Sequence, residues 1–102
     1  MPMTLQVLYP VGDGITFDHD YYVNTHLPMV GEHMGAHLSG ASASKGLAGG
    51  PDTPSGFHVI ATLTFADQAA LNAGMAKAGP VVADIANFYT GAAQMMIGET
   101  VA

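Results

Sequence analysis

Residues Phe57 to Phe65 alternate without a break. Phe57, Val59, Ala61, Leu63 and Phe65 form one apolar row, and His58, Ile60, Thr62 and Thr64 form a mixed row between them. A period of two is that of a β-strand. Two faces of different chemistry imply two different neighbours: helices against the apolar face, and a cavity or a partner against the mixed one. Thr4 to Tyr9 repeats the pattern, with Leu5, Val7 and Tyr9 on one side, Gln6 and Leu8 on the other, and Pro10 as the stop. A last strand runs from Ala92 to Glu99, with Met95 and Ile97 opposed to Gln94 and Met96. Gly40 to Gly46 alternates weakly. Its small side chains pack poorly, which suits the edge of a sheet.

Between the strands the period changes to that of a helix. From Phe17 to about Ala36, Phe17, Tyr21 and Asn24 share one side, and Tyr22, His26 and Met29 share another. Thr16 is the expected N-cap, with Asp18 and Asp20 in the first turn at the positive end of the helix dipole. Pro28 should kink or split this helix just after His26. Asp67 can cap a second helix, Gln68 to Ala78. Gly79 is placed to end it, and Pro80 to open a short further turn through Ile85. The order is β-α-β-β-α-β, a ferredoxin-like α+β arrangement over residues 1–102. Its antiparallel four-stranded sheet has order 4-1-3-2, with helices on one face and the weak second strand at an edge. Gly49 to Gly56 is a loop by composition.

Composition narrows the partners. The 102 residues carry two cations, Lys45 and Lys77, against eight acids, a net charge of −6. Nothing here could neutralise a row of phosphates, so neither nucleic acid nor an anionic membrane is an expected partner. No apolar run reaches the ~20 residues that a membrane span needs. Zero cysteines exclude disulfides and thiol chemistry. The start, Met1 to Thr4, has neither the basic end nor the apolar centre of a signal peptide, and a cytoplasmic location is expected. A chain this small with 49% apolar residues cannot hide all of them alone. A homodimer is therefore expected.

Aromatic, acidic and imidazole groups concentrate between Thr16 and Val30. There the strand ending Leu8-Tyr9-Pro10, the glycine loop, and then Phe17, Tyr21-Tyr22, His26 and Pro28 resemble the EthD family. That family is named for its association with ethyl tert-butyl ether degradation, and it belongs to the dimeric α+β-barrel superfamily. The segment from Phe57 through Phe65 and on to Asp84-Ile85-Ala86-Asn87-Phe88 is similar in order and spacing.

The resemblance implies a homodimer that binds a small molecule in a cleft between sheet and first helix, with no cofactor. It also implies that His26, with Tyr22 or Tyr21, reaches toward that cleft. If such a protein turns over its ligand, His26 is the acid or base. The metabolite would be small, cyclic, aromatic or an ether, in an oxidative degradation pathway. Read from the strand alternation, the mixed sheet face supplies one wall: Gln6, Leu8, His58, Ile60, Thr62, Gln94 and Met96. Two alternatives stand beside this. His26 could instead bond to carbonyls freed by Pro28 and only hold the kink. The whole chain could be a non-catalytic dimerisation or carrier module. His33 and His37 have the one-turn spacing of helical metal ligands, but no carboxylate completes a set, so no metal is expected. Haem is not expected either, because no basic residue is placed to meet its propionates.

Overall fold

The computed structural model describes all residues, Met1–Ala102. Four strands, β1 (Met3–Pro10), β2 (Gly40–Lys45), β3 (Phe57–Phe65) and β4 (Gln94–Glu99), form one antiparallel sheet in the order β2-β3-β1-β4. The two strands with the strongest alternation are central, and the Ala/Ser strand is at an edge, as expected. Gln6 lies opposite Thr62 on β3 and opposite Met96 on β4. The helices are α1 (His19–Tyr21), α2 (Leu27–Met34), α3 (Gln68–Met75) and α4 (Gly79–Asp84).

The helices pack on one side of the sheet. Leu5, Val7, Tyr9, Val59, Ala61, Leu63 and Phe65 are buried against them, with Val30, Met34, Leu71 and Val81 from the helix layer. Gly74 of α3 makes this contact close: a Cβ there would stand 2.5 Å from Cε1 of the fully buried Phe65. Only glycine lets the helix approach the sheet so closely.

The start of the first helix differs from the sequence expectation. Its cap is Asp18, whose Oδ1 accepts from the Tyr21 amide. Thr16 is drawn elsewhere: its amide donates to Thr90 Oγ1 and its carbonyl accepts from the Thr90 amide. Phe17 and Tyr89 form an antiparallel bridge, and the Asp18 amide donates to the Phe88 carbonyl. Sequence periodicity carries no sign of a pairing between positions more than seventy residues apart. Its consequence is positional, because it ties the entry of the first helical run to the segment that follows α4.

Pro28 does disturb the helix, in a specific way. It sits in the first turn of α2, where its missing amide proton costs little. The turn before it, Tyr22–His26, is π-helical, and the Leu27 amide donates to the Tyr22 carbonyl five residues back. A 3₁₀ turn, Gly35–His37, ends the run, and another, Ile85–Asn87, follows α4. β4 begins at Gln94, two residues later than the alternation suggests.

Candidate functional site

The π-helical turn sets the site. It places Tyr22 and His26, four residues apart, with their rings stacked at 5.4 Å and 18°. Both are buried. π-Turns of this kind occur often where a helix must aim side chains at a functional centre. Phe88 packs against both rings, 4.5 Å from His26 and 5.2 Å from Tyr22, and Tyr9 of β1 lies 5.8 Å from Tyr22.

Behind His26 stands Asp84, at the end of α4. His26 Nδ1 lies 2.9 Å from Asp84 Oδ2. The other carboxylate oxygen accepts from the Tyr21 hydroxyl at 2.7 Å and from Asn87 Nδ2 at 2.9 Å. A carboxylate this buried needs such donors. Burial pushes its pKa up, but the hydrogen bonds from Tyr21, Asn87 and His26 outweigh that and hold it below the usual value. Asp84 is therefore ionised at neutral pH, and the proton between the two groups belongs to Nδ1. With Nδ1 engaged by Asp84, Nε2 is the ring nitrogen left without a hydrogen-bond partner within the chain.

His26 and Tyr22 line a cavity of about 360 Å³ between the helix layer and the sheet. Leu5, Val7, Tyr9, Ala61 and Leu63 form its floor. Val30, Met34, Ala78, Val81 and Ile85 cover it from the helix layer, and Ala41, Ser42 and Ala43 of the exposed edge strand form one side. Most of the lining is apolar, and no Lys, Arg, Asp or Glu takes part. Such a volume with few polar groups is characteristic of small-molecule sites. Burial pushes the Tyr22 hydroxyl up to about 12 and raises Tyr9 as well, so both are neutral donors across the physiological range.

The structure separates residues that the sequence reading put together. His26 reaches over the apolar face of the sheet, because the helix that carries it packs on that face. The mixed face is the other side of the same strands, so the expected single cleft walled by that face and topped by His26 does not form. Gln6, Leu8, Ile60, Thr62, Gln94 and Met96 do not line the cavity. Gln6 Nε2 instead donates across the strands to Thr62 Oγ1 at 3.2 Å.

His58 is also outside the cavity. The β1–β3 register shifts between Tyr9 and Pro10, opposite His58, and a bulge of this kind re-aims a side chain. The His58 ring stacks on Phe17 at 5.7 Å and packs near His19 and Tyr89. Tyr21 bonds to Asp84 and does not line the cavity. Asp84 and Asn87 are the members that the site reading missed. The one sequence signal for them was their place in the Asp84-Ile85-Ala86-Asn87-Phe88 segment. No group of three or more His, Asp or Glu side chains is arranged to hold a metal ion.

Residues 16–92 match the EthD domain. The chain belongs to the EthD family. An EthD-like protein from Ralstonia eutropha JMP134 is 31% identical, with a TM-score of 0.86 over 99% of this chain and 93% of that one. Two more distant structures share the fold alone. One is a dimeric ferredoxin-like protein of unknown function from Thermobifida fusca (14% identity, TM-score 0.67, 98% and 92% covered). The other is SnoaB, a cofactor-independent oxygenase from Streptomyces nogalater (8% identity, TM-score 0.62, 99% and 93% covered). No curated protein matches the chain. No helix of this EthD-family chain is long and apolar enough to cross a membrane.

The tyrosines make the fold sensitive to alkali. All four, Tyr9, Tyr21, Tyr22 and Tyr89, are raised above the ordinary value of 10.0. Burial is the main cause for three of them, and the bond to Asp84 for Tyr21. A raised acid pKa means the folded state holds its protons longer than the unfolded chain. The stability this contributes is complete below pH 10 and is lost as the pH climbs through the folded values. An ultraviolet titration should therefore show tyrosinate appearing late and together with loss of structure by circular dichroism. Four tyrosines ionising freely near 10 in an intact fold would contradict this.

Proposed function

We propose that this EthD-family protein binds a small molecule in the sheet–helix cavity and moves a proton on it with the His26–Asp84 pair. The observation that carries this is the oriented imidazole, fixed by Asp84 through Nδ1, with Nε2 unpaired at the wall of an apolar cavity. Nε2 takes a proton from an acidic O–H or from a C–H beside a carbonyl. Asp84 balances the imidazolium that forms. Tyr22, a neutral donor, hydrogen-bonds to the oxyanion that develops as the C–H electron pair moves into the carbonyl. The proton then returns to the same or to another atom, which gives exchange or isomerisation. SnoaB, described as a cofactor-independent oxygenase, shows what else this fold can host.

The carrier alternative is separated by one experiment. With 2-tetralone, an apolar ketone that enolises, the protein should accelerate deuterium uptake from heavy water beside the carbonyl, followed by NMR. His26→Ala should lose about 10²–10⁴ of that rate, with Asp84→Asn intermediate and both variants keeping the native circular dichroism spectrum. Uptake that is equal in protein and His26→Ala would leave only binding, and the proton-transfer reading would fail.

The uncovered face of the sheet supports a homodimer as the second part of the reading. Leu8, Ile60 and Met96 stand there with no helix over them, and Met96 is 52% exposed. That is a half-apolar surface with a polar cross-strand pair at its centre, suited to a second copy. The Thermobifida fusca neighbour is described as dimeric. Sedimentation equilibrium should give twice the chain mass, and Ile60→Lys should return it to the monomer with His26 and the cavity untouched. A wild-type monomer at high micromolar concentration would overturn this part.

A further inference from the structure

The cavity gathers its imidazole and phenol groups at one end and has no cation in its lining, and we infer from this the class of molecule it takes: an uncharged compound with a single hydroxyl or enolisable carbonyl at one end of a mainly hydrocarbon body. This rests on the reading of the His26 end as the place where the ligand's proton is exchanged.

The sheet register fixes the long axis. Tyr9, beside Tyr22, marks the polar end. Val7, Ala61 and Ala43 lie in register across the middle of the floor, and Leu5, Leu63 and Ala41 lie in register beyond them. Leu5 and Tyr9 are four residues apart on one strand, about 13 Å at ~3.3 Å per residue. The side chains of the middle and far rows offer a ligand only hydrocarbon, and Ser42, between Ala41 and Ala43 on the edge strand, is the one further polar residue of the lining there. The part of the ligand lying over these rows must therefore be mainly hydrocarbon.

Charge decides the head group. The chain's two cations, Lys45 and Lys77, are exposed and do not line the cavity. The formal charge in contact with the polar end is that of Asp84, 2.9 Å behind His26; Lys45 lies in the Tyr9 row, opposite Val59, but on the exposed edge strand and outside the lining. A carboxylate or phosphate head would lose its hydration, meet no counter-ion in the lining and face that negative charge. A neutral hydroxyl or carbonyl loses far less and gains the Nε2 acceptor or the Tyr22 donor. Fatty acids, phosphorylated metabolites and nucleotide-linked thioesters that would put their phosphates inside are thereby excluded. Phenols, enols and ketones with an apolar extension remain.

The far row also limits length. Ala41 faces the cavity from the exposed edge strand, so a larger side chain there shortens the apolar end without touching Tyr9, Tyr22 or His26.

The test measures binding by calorimetry at neutral pH of four probes: 4-ethylphenol, 4-hexylphenol, hexylbenzene and 4-hexylbenzoate. In the wild type, 4-hexylphenol should bind at least tenfold more tightly than 4-ethylphenol, and at least tenfold more tightly than 4-hexylbenzoate. Hexylbenzene, lacking the head, should fall between. Ala41→Leu should weaken 4-hexylphenol at least tenfold and leave 4-ethylphenol within twofold. Should that variant not fold, the wild-type series alone decides. Benzoate binding as tightly as the phenol overturns the neutral head, and equal affinity for the two phenols overturns the apolar extension. If no probe binds while 2-tetralone exchange still depends on His26, this inference fails and the proton-transfer reading stands. If the exchange is absent too, the underlying reading has failed.

Discussion

A carboxylate held beneath an apolar layer is the constraint on which the rest depends. Asp84 can stay ionised there only because three donors reach it, from Tyr21, His26 and Asn87. Each comes with a requirement on the backbone. Tyr21 and His26 must lie on the same helical run yet reach opposite oxygens of one carboxyl group. Asn87 must follow Asp84 by three residues in a tight turn. The π-helical turn before Pro28 and the 3₁₀ turn after α4 meet these requirements. The pairing of residues 16–18 with 88–90 brings the two segments together. The proposed function rests on the same arrangement, since an imidazole whose Nδ1 is taken has only Nε2 left for a ligand.

The sheet separates the two proposed tasks by its two faces. One face carries the helices and, where its residues shrink to Ala41, Ala43 and Ala61, leaves room for a small molecule. The other carries Gln6, Leu8, Ile60, Thr62 and Met96 and remains free for contact with another chain. Strand alternation keeps the tasks apart, because a side chain on one face cannot serve the other. The bulge opposite His58 is a local departure. It turns that ring into the outer aromatic cluster with Phe17 and Tyr89, where its Nε2 is buried without a partner. That unpaired nitrogen lies outside the cavity and takes no part in the proposed proton transfer.

Much of the architecture was legible because it rests on local rules. The alternation of Phe57 to Phe65, the stop at Pro10, the cap at Asp67 and the small residues of Gly40 to Lys45 each reflect nearest-neighbour physics, and they agree with the strand order that the ferredoxin-like arrangement supplies. The site was legible only in part. Resemblance pointed to His26 and Tyr22, and both line the cavity. Asp84 lies fifty-eight residues from His26 in the chain, and no periodicity joins them. The expected wall on the mixed face failed for a simple reason. A helix that packs on the apolar face must present its inward side chains to that face, so His26 could not also have served the mixed one. Thr16 lost its capping role to Asp18 because a partner near the far end of the chain, Thr90, bonds to its backbone.

The proposed chemistry stands or falls on the state of one ring. Nitrogen NMR of the imidazoles, with the cavity empty and then filled with 4-hexylphenol, reads it directly. The neutral His26 ring should carry its proton on Nδ1, in a hydrogen bond that Asp84→Asn weakens, and the Nε2 resonance should move when the ligand enters. A ring protonated on Nε2 instead, or an Nε2 resonance indifferent to a bound ligand, would contradict it.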